Sequence, residues 1–469
     1  MVANLRGAAM AVKPPLPSHR MRRHGVSGAT FAVRPPMTAT MNLRGGLAKT
    51  LGFGRLSLYG VGTIIGAGIY SVIGPAAGAA GEAIWASFLL AAVISAFSGL
   101  SYAELASAMP SAGAEHSFLR QALPKAPAVA FAVGLFIAVH GAATFATVGL
   151  TFGNYLQTFV ALPPVLVALG LMALATGINV AGVTKASSVS AVLTTIQVLC
   201  LIAFAVFAFS LKGAALPSKI AAPQEWGGVL QGAALVFFIY SGYEHMATLS
   251  EEAKNPGRDI WRAFMVALCV TTAVYIVVIF GVLALVDARS IASSDFPLVA
   301  AAGQLGRWAA VIITGAALLA TANAVLNASI SGSRLLFGTA RAGDLPKALQ
   351  RTLGRSKSPW IGAVVMLAAA CIFAVLGEVK FVASLSSLGV TLVFASVNAA
   401  VIILRYSNPN LKRPFKAPSI GRFPVTAGLG VAASLLLAAQ YEWKVYVTFL
   451  IAILAGAIPY ALVRRRSAD

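Results

Sequence analysis

Glu244 and His245 stand side by side in "LQGAALVFFIYSGYEHMATLSEEAKNP" (230–256), an apolar run that also carries Ser241-Gly242 near its centre. An acid and an imidazole at bilayer depth are costly and are usually functional. A second histidine, His140, lies within "GLFIAVHGAATFATVGL" (134–150). A lone intramembrane imidazole titrates near physiological pH and can relay protons, or it can be a hydrogen-bonded core residue. The third feature is "GVGTIIGAGIYSVIG" (60–74), with five glycines in fifteen positions. Each interior glycine costs a helix roughly 0.8–1 kcal/mol relative to alanine, so the cluster needs a reason. One reason is close packing, with Gly62 and Gly66 as a small-xxx-small pair. The other is a deliberate break at 66–68, where freed backbone N–H groups and carbonyls would line a polar cavity because lipid cannot satisfy them. A dinucleotide fingerprint fails, since three residues rather than two separate the second and third glycines and no strand or acidic partner accompanies them. Covalent catalysis is not expected either: there is no nucleotide loop, no metal-ligand cluster and no nucleophile paired with a base. Cys200, Cys269 and Cys371 all fall in apolar runs without paired spacing, and read as small core residues.

The elements that must position these groups are set by composition. Of 469 residues, 58% are apolar and 10% charged, with a mean hydropathy of +0.84, more than a water-facing surface permits. About 20 apolar residues span ~30 Å of hydrocarbon. Twelve such runs occur, near 57–80, 84–107, 127–152, 163–183, 188–211, 230–250, 263–286, 306–333, 359–377, 381–404, 424–440 and 444–463. They are continuous rather than alternating, which excludes a strand-built barrel. The expected fold is therefore an all-α polytopic membrane protein with about twelve transmembrane helices.

Of the 35 basic residues, all but Lys212, Lys219, Arg289, Arg307, Lys380 and Lys444 fall on the side of the N-terminus. Positive segments stay inside, so both termini are expected in the cytoplasm and the protein in the plasma membrane. The net charge of +21 is mostly this asymmetry, and a nucleic-acid partner is not expected because no soluble domain presents a basic patch. Residues 1–50 lack a secretory apolar core and read as a disordered basic tail. The rest divides into a ten-helix core over 51–404 and two peripheral helices with a short tail over 405–469.

The first and sixth runs take matching places if the first ten helices form two five-helix halves of opposite orientation. Interrupted segments in corresponding positions of two halves are the best sequence pointer to a transport site. Packing alone does not predict that correspondence, which favours broken helices.

Five segments in order then resemble one family. "GVGTIIGAGIYSVIG" (60–74), "LSYAELASAMPSAG" (100–113), "FFIYSGYEHMATLSEEAKNPGRDI" (237–260), "SRLLFGTARAGDLP" (333–346) and "NPNLKRPFKAPSIGRFP" (408–424) are similar to signatures of the amino acid–polyamine–organocation permeases, and most similar to their bacterial cationic-amino-acid-transporter-like branch. The resemblance implies a five-plus-five inverted repeat of the leucine-transporter type with helices 1 and 6 broken. It also implies secondary transport of amino acids by alternating access, or, as the alternative, a polyamine or organic-amine carrier or an exchanger.

Carried over position by position, the resemblance places a substrate carboxylate on the N–H groups of Gly66, Ala67 and Gly68. The positive dipole end of the following half-helix would favour that anion. The ammonium would meet carbonyls of Ile64, Ile65, Phe238, Ile239 and Ser241 beside Gly242, with Phe238 also capping the site. Ser241 stands where relatives often carry an aliphatic residue, which makes the wall smaller and more polar. No acid beyond Glu244 serves the side-chain subsite, and Glu244 matches a structural or gating acid of the family. Small or medium neutral amino acids are thus the expected substrates, with cationic ones second.

Energy coupling departs from the pattern. Where proton-coupled relatives carry a membrane lysine, this chain has Gln197, which cannot titrate, and His140 replaces a glutamate of the third span. Sodium coupling would draw on Thr321, Asn323, Asn327, Ser329 and Ser331, residues that equally hold helices together. No cofactor is expected beyond a proton or sodium ion, and the chain is expected as a monomer or homodimer. Glu104, Glu251 and Glu252 are read as inner-gate acids facing basic residues such as Arg258 and Arg341.

Overall fold

The computed structural model describes residues 47–66, 68–212, 226–294, 296–376, 379–439 and 441–465. Most of them are helical, and no extended strand occurs among them. In chain order the helices are α1 (Phe53–Ile65), α2 (Gly68–Ala80), α3 (Ile84–Ala108), α4 (Ala114–Ala122), α5 (Pro127–Leu156), α6 (Pro164–Val180) and α7 (Val183–Lys212). They continue with α8 (Trp226–Phe237), α9 (Tyr243–Thr248), α10 (Pro256–Leu285), α11 (Ala288–Ala292), α12 (Pro297–Gly303) and α13 (Arg307–Arg341). The last four are α14 (Trp360–Leu376), α15 (Val379–Ser407), α16 (Val425–Ala438) and α17 (Trp443–Arg465).

Every apolar run read from the sequence falls on one helix or on an interrupted pair. By length and apolar character, six helical stretches can cross a bilayer: Val72–Ala108, Pro127–Leu156, Val183–Lys212, Pro256–Leu285, Arg307–Arg341 and Phe381–Ser407. Pro164–Val180, Trp226–Phe237 and Trp360–Val375 are shorter apolar helices. The chain is therefore an all-helical, multi-pass membrane protein. Local chemistry sets several starts: α5, α6, α10 and α12 each begin with proline, whose fixed φ suits the first helical position. The short helices α4, α11 and α12 lie outside the apolar runs, so span-counting passed over them.

Helix α5 packs on α13 and α15, while α10 packs on α1, α3 and α7. The site is built between these groups. Small residues allow the approach: a Cβ on Gly62 would lie 2.0 Å from Thr194 Oγ1, and one on Gly60 would lie 2.3 Å from Met246 Sδ. The packing explanation of the glycine cluster thus holds at Gly60 and Gly62.

One end of the bundle is tied shut by charge. Glu104 receives two hydrogen bonds from Arg405, at 2.9 and 2.7 Å, and faces Arg413 at 3.0 Å. Glu251 takes both ends of the Arg341 guanidinium, and Glu252 takes the buried Arg334. Asp344 joins His116, at 2.8 Å, and Arg120. Arg258, named as a partner from sequence, is instead exposed; the cations on Glu104 come from the end of α15 and the loop after it. At the same end the Leu51 N–H donates to the Glu252 carbonyl at 3.0 Å, and the Lys254 N–H donates to the Leu51 carbonyl at 2.8 Å. Helix α1 therefore starts where the α9 segment finishes.

Candidate functional site

The two glycine-rich runs are interrupted and meet. Helix α1 stops at Ile65, and Gly66 adopts φ +31°, ψ −147° before α2 begins at Gly68. Helix α8 tightens into a 3-10 turn over Phe238–Tyr240, and Gly242, at φ +121°, precedes α9. A side chain at Gly242 would place its Cβ 2.5 Å from the Thr63 carbonyl oxygen, and one at Gly68 would sit 2.4 Å from Ile239 Cγ2. Only glycine lets the backbones touch this way. Since α1 packs on α9 and α2 on α8, the two broken segments run in opposite directions past one another.

Breaking a helix frees carbonyls that must find donors. The Tyr275 hydroxyl from α10 lies 2.9 Å from the Ile64 carbonyl and 3.3 Å from those of Ile65 and Ile239. One hydroxyl has one proton, so it serves one of these oxygens at a time. Behind the first break, Gln197 Nε2 donates to the Gly66 carbonyl at 3.1 Å.

A cavity of about 100 Å³ opens at the junction. Ile64, Gly66, Gly68, Ile239, Ser241 and Gly242 form one wall, while His140, Glu244, His245, Asn327 and Ser386 form another. Thr144, Thr147 and Thr151 continue along α5. Asn327 is buried, and neither amide atom has a hydrogen-bond partner among the described residues. Of the other oxygens proposed for sodium, Thr321 donates to the Ala317 carbonyl, Ser329 accepts from Asn179 and Ser331 meets His245. Asn323 donates its Nδ2 to Thr194, while its Oδ1 is buried without a hydrogen-bond partner among the described residues.

The ionisable residues form one group. His140 Nε2 lies 3.4 Å from Glu244 Oε1, and His245 Nε2 lies 3.9 Å from the same oxygen. The two imidazoles are stacked, with centroids 6.2 Å apart and planes 17° from parallel. Glu244 Oε2 accepts the Gly242 N–H at 2.7 Å, which ties the acid to the second break. His140 is therefore not the isolated imidazole that the sequence suggested.

Of the residues singled out from sequence, Ile65 turns its carbonyl to Tyr275, Gln197 backs the first break and Glu104 belongs to the ion-paired end, so these three do not line the cavity. Ala67 and the Phe238 side chain lie outside the described residues. Sequence reasoning missed Tyr275, whose signal was a tyrosine in mid-span with a hydroxyl that needs a partner. It also missed Arg334, Arg405 and Arg413, counted there only as loop charges.

At the ion-paired end, outside the spans, burial alone would raise the Glu251 carboxyl, but Arg341 holds it below the ordinary value. His116 and Arg120 do the same for Asp344 against its burial. Glu115 on α4 is the exception. Its two oxygens are buried without a hydrogen-bond partner among the described residues, and burial pushes its carboxyl up to about 8.

Comparison with known proteins agrees with this architecture. The family model described as "Amino acid permease" matches residues 51–460. The chain belongs to the amino acid permease family. The permease is 29% identical over 446 residues to the branched-chain amino acid permease BcaP of Bacillus subtilis, covering 90% of this chain and 94% of that protein. It is 30% identical over 388 residues to the vacuolar cationic amino acid transporter 4 of Arabidopsis thaliana, covering 78% and 64% of the two chains. The methylthioribose transporter of Bacillus subtilis is 28% identical over 449 residues, covering 90% and 94%. The permease is accordingly an amino acid transporter, not an enzyme.

Proposed function

We propose that the permease carries small or medium neutral amino acids by alternating access, with the zwitterion held end to end between the two helix breaks. The carboxylate lies at the start of α2, among Gly66, Ala67 and Gly68, where the helix dipole is positive. The ammonium faces the carbonyls of Ile64, Phe238, Ile239 and Ser241. The convergence of the Ile64, Ile65 and Ile239 carbonyls on the Tyr275 hydroxyl supports this: one hydroxyl cannot satisfy three carbonyls, whereas an ammonium brings three donors.

The observation that carries the choice of substrate is the state of Glu244. It is the acid on the cavity wall; its Oε2 accepts the Gly242 N–H, and the His140 and His245 rings crowd its Oε1 at 3.4 and 3.9 Å, which leaves a cationic side chain little room at that carboxylate. At roughly 10–15 Å³ per water-sized group, a cavity of about 100 Å³ also suits a small zwitterion better than an arginine. The likeness to a branched-chain amino acid permease supports the same reading, and the likeness to cationic transporters keeps basic amino acids second.

Twelve spans, a five-plus-five inverted repeat and two cytoplasmic termini complete the proposal. The opposite run of the two broken segments supports the repeat. The basic residues clustered at the ion-paired end support a cytoplasmic face that is closed in this conformation. Gly68→Val drives a side chain into Ile239, so uptake should fall below about 1% of wild type while membrane insertion is unchanged. Undiminished uptake by correctly inserted Gly68→Val protein would refute the carboxylate site.

A further inference from the structure

We propose that His140, Glu244 and His245 form a binding site for one divalent transition-metal ion of the zinc class, and that occupancy pins α9 to α5. Two orientations carry the inference. The His140 Nδ1 lies 2.9 Å from the Ser386 carbonyl, which can only accept, so Nδ1 carries the proton. With the ring neutral, Nε2 aims its lone pair at Glu244 Oε1, 3.4 Å away, and that nitrogen has no hydrogen-bond partner among the described residues. Two acceptors facing each other inside a protein call for a cation between them. The His245 Nδ1 is likewise held by Ser331 Oγ at 2.7 Å, which turns its Nε2 toward the same carboxylate oxygen, 3.9 Å away.

A single proton joins only one pair of these three atoms. A metal ion joins all three, whose positions fall within 4.8 Å of one another. In a tetrahedral site with bonds of about 2.1 Å, ligand atoms stand roughly 3.4 Å apart. The His140–Glu244 pair already matches at 3.4 Å, the His245–Glu244 pair at 3.9 Å must close by about 0.5 Å, and a two-histidine separation within 4.8 Å must close by at most ~1.4 Å. Outer partners that orient the ring are characteristic of metal-ligating histidines: the Ser386 carbonyl sets the His140 tautomer, and the Ser331 hydroxyl, which can donate or accept, orients the His245 ring. Imidazole nitrogens select zinc, cobalt or nickel over sodium or magnesium. The cavity leaves the fourth position to water or substrate.

Two ligands sit on α9, just after the second helix break, and one on α5, so the bound ion ties the two helices together. Its expected consequence, arrest of transport, rests on the alternating-access reading; metal binding itself does not.

The test uses the full chain, purified without a histidine tag, with His19 and His24 of the N-terminal segment replaced by alanine. Cobalt chloride is titrated and visible absorption recorded. One equivalent should give the bands of a four-coordinate site, and zinc chloride should bleach them. His140→Ala or His245→Ala should weaken binding at least ~100-fold, and Ser331→Ala, which keeps all three ligands, by about 10–100-fold. Absence of the bands in the unaltered site, or equal uptake by monodisperse His140→Ala and His245→Ala proteins, overturns the proposal and leaves a hydrogen-bonded triad. Zinc that binds without slowing amino acid uptake sustains the site and counts against the alternating-access role of α9.

Discussion

A carboxylate inside this protein behaves according to what its neighbours offer. Glu251 and Asp344 have cations and stay below their ordinary range, whereas Glu115 has burial and no cation, and rises to about 8. Because the folded chain binds the Glu115 proton more tightly than the unfolded chain does, stability present below the ordinary value of 4.5 is lost as pH climbs through about 8. Glu115→Gln keeps the shape and removes the titration. Its apparent melting temperature in detergent should exceed wild type by about 2–5 °C above pH 8, with the difference vanishing near pH 4.5. An identical pH slope in both proteins would show that Glu115 ionises without cost. Asn327 illustrates the complementary case, a buried amide on the cavity wall whose two polar atoms have no hydrogen-bond partner among the described residues.

The element that matters most is the helix break, and its legibility was uneven. The first break was visible because five glycines in one span demanded an explanation, and the second because Ser241-Gly242 occupied the corresponding place in the sixth run. What each glycine does was not visible: Gly60 and Gly62 serve packing, while Gly66 and Gly242 take the positive φ of the helix breaks. That difference depends on which atoms lie opposite, and pattern alone does not contain it. The meeting of His140 with Glu244 was equally hidden, because the two residues lie on different helices far apart in the chain and no ligand spacing connects them. Tyr275 escaped for the same reason. Gly242→Ala tests the break as an element. It imposes a positive φ on alanine and drives Cβ into the Thr63 carbonyl, so the expected loss is about 2–3 kcal/mol or more of stability, together with transport. Thermal stability and uptake equal to wild type would mean that the two breaks do not depend on their contact.

For the whole molecule, length and apolar character placed nearly every helix, because a bilayer leaves the backbone few alternatives. Charge asymmetry pointed to the end now seen tied by ion pairs, although the partners of Glu104 came from a loop that sequence proximity could not match to it. If that end is a gate, breaking one pair should open it. In a background with Cys200, Cys269 and Cys371 replaced by serine, Arg341→Ala should raise maleimide labelling of a cysteine placed at Ala112, whose N–H now donates to Glu251 at 3.1 Å, by about 3–10-fold. That corresponds to roughly 1 kcal/mol of population shift. Unchanged labelling would make the pair a static surface contact.

The central claim is that paired helix breaks read a neutral amino acid by its backbone charges. It is tested most directly by counterflow into liposomes loaded in turn with unlabelled alanine, leucine, arginine or putrescine, following the labelled form of each. The account predicts entry of alanine and leucine, weaker entry of arginine and none of putrescine. Entry of putrescine alone, which has no carboxylate to place at Gly66 to Gly68, would contradict it.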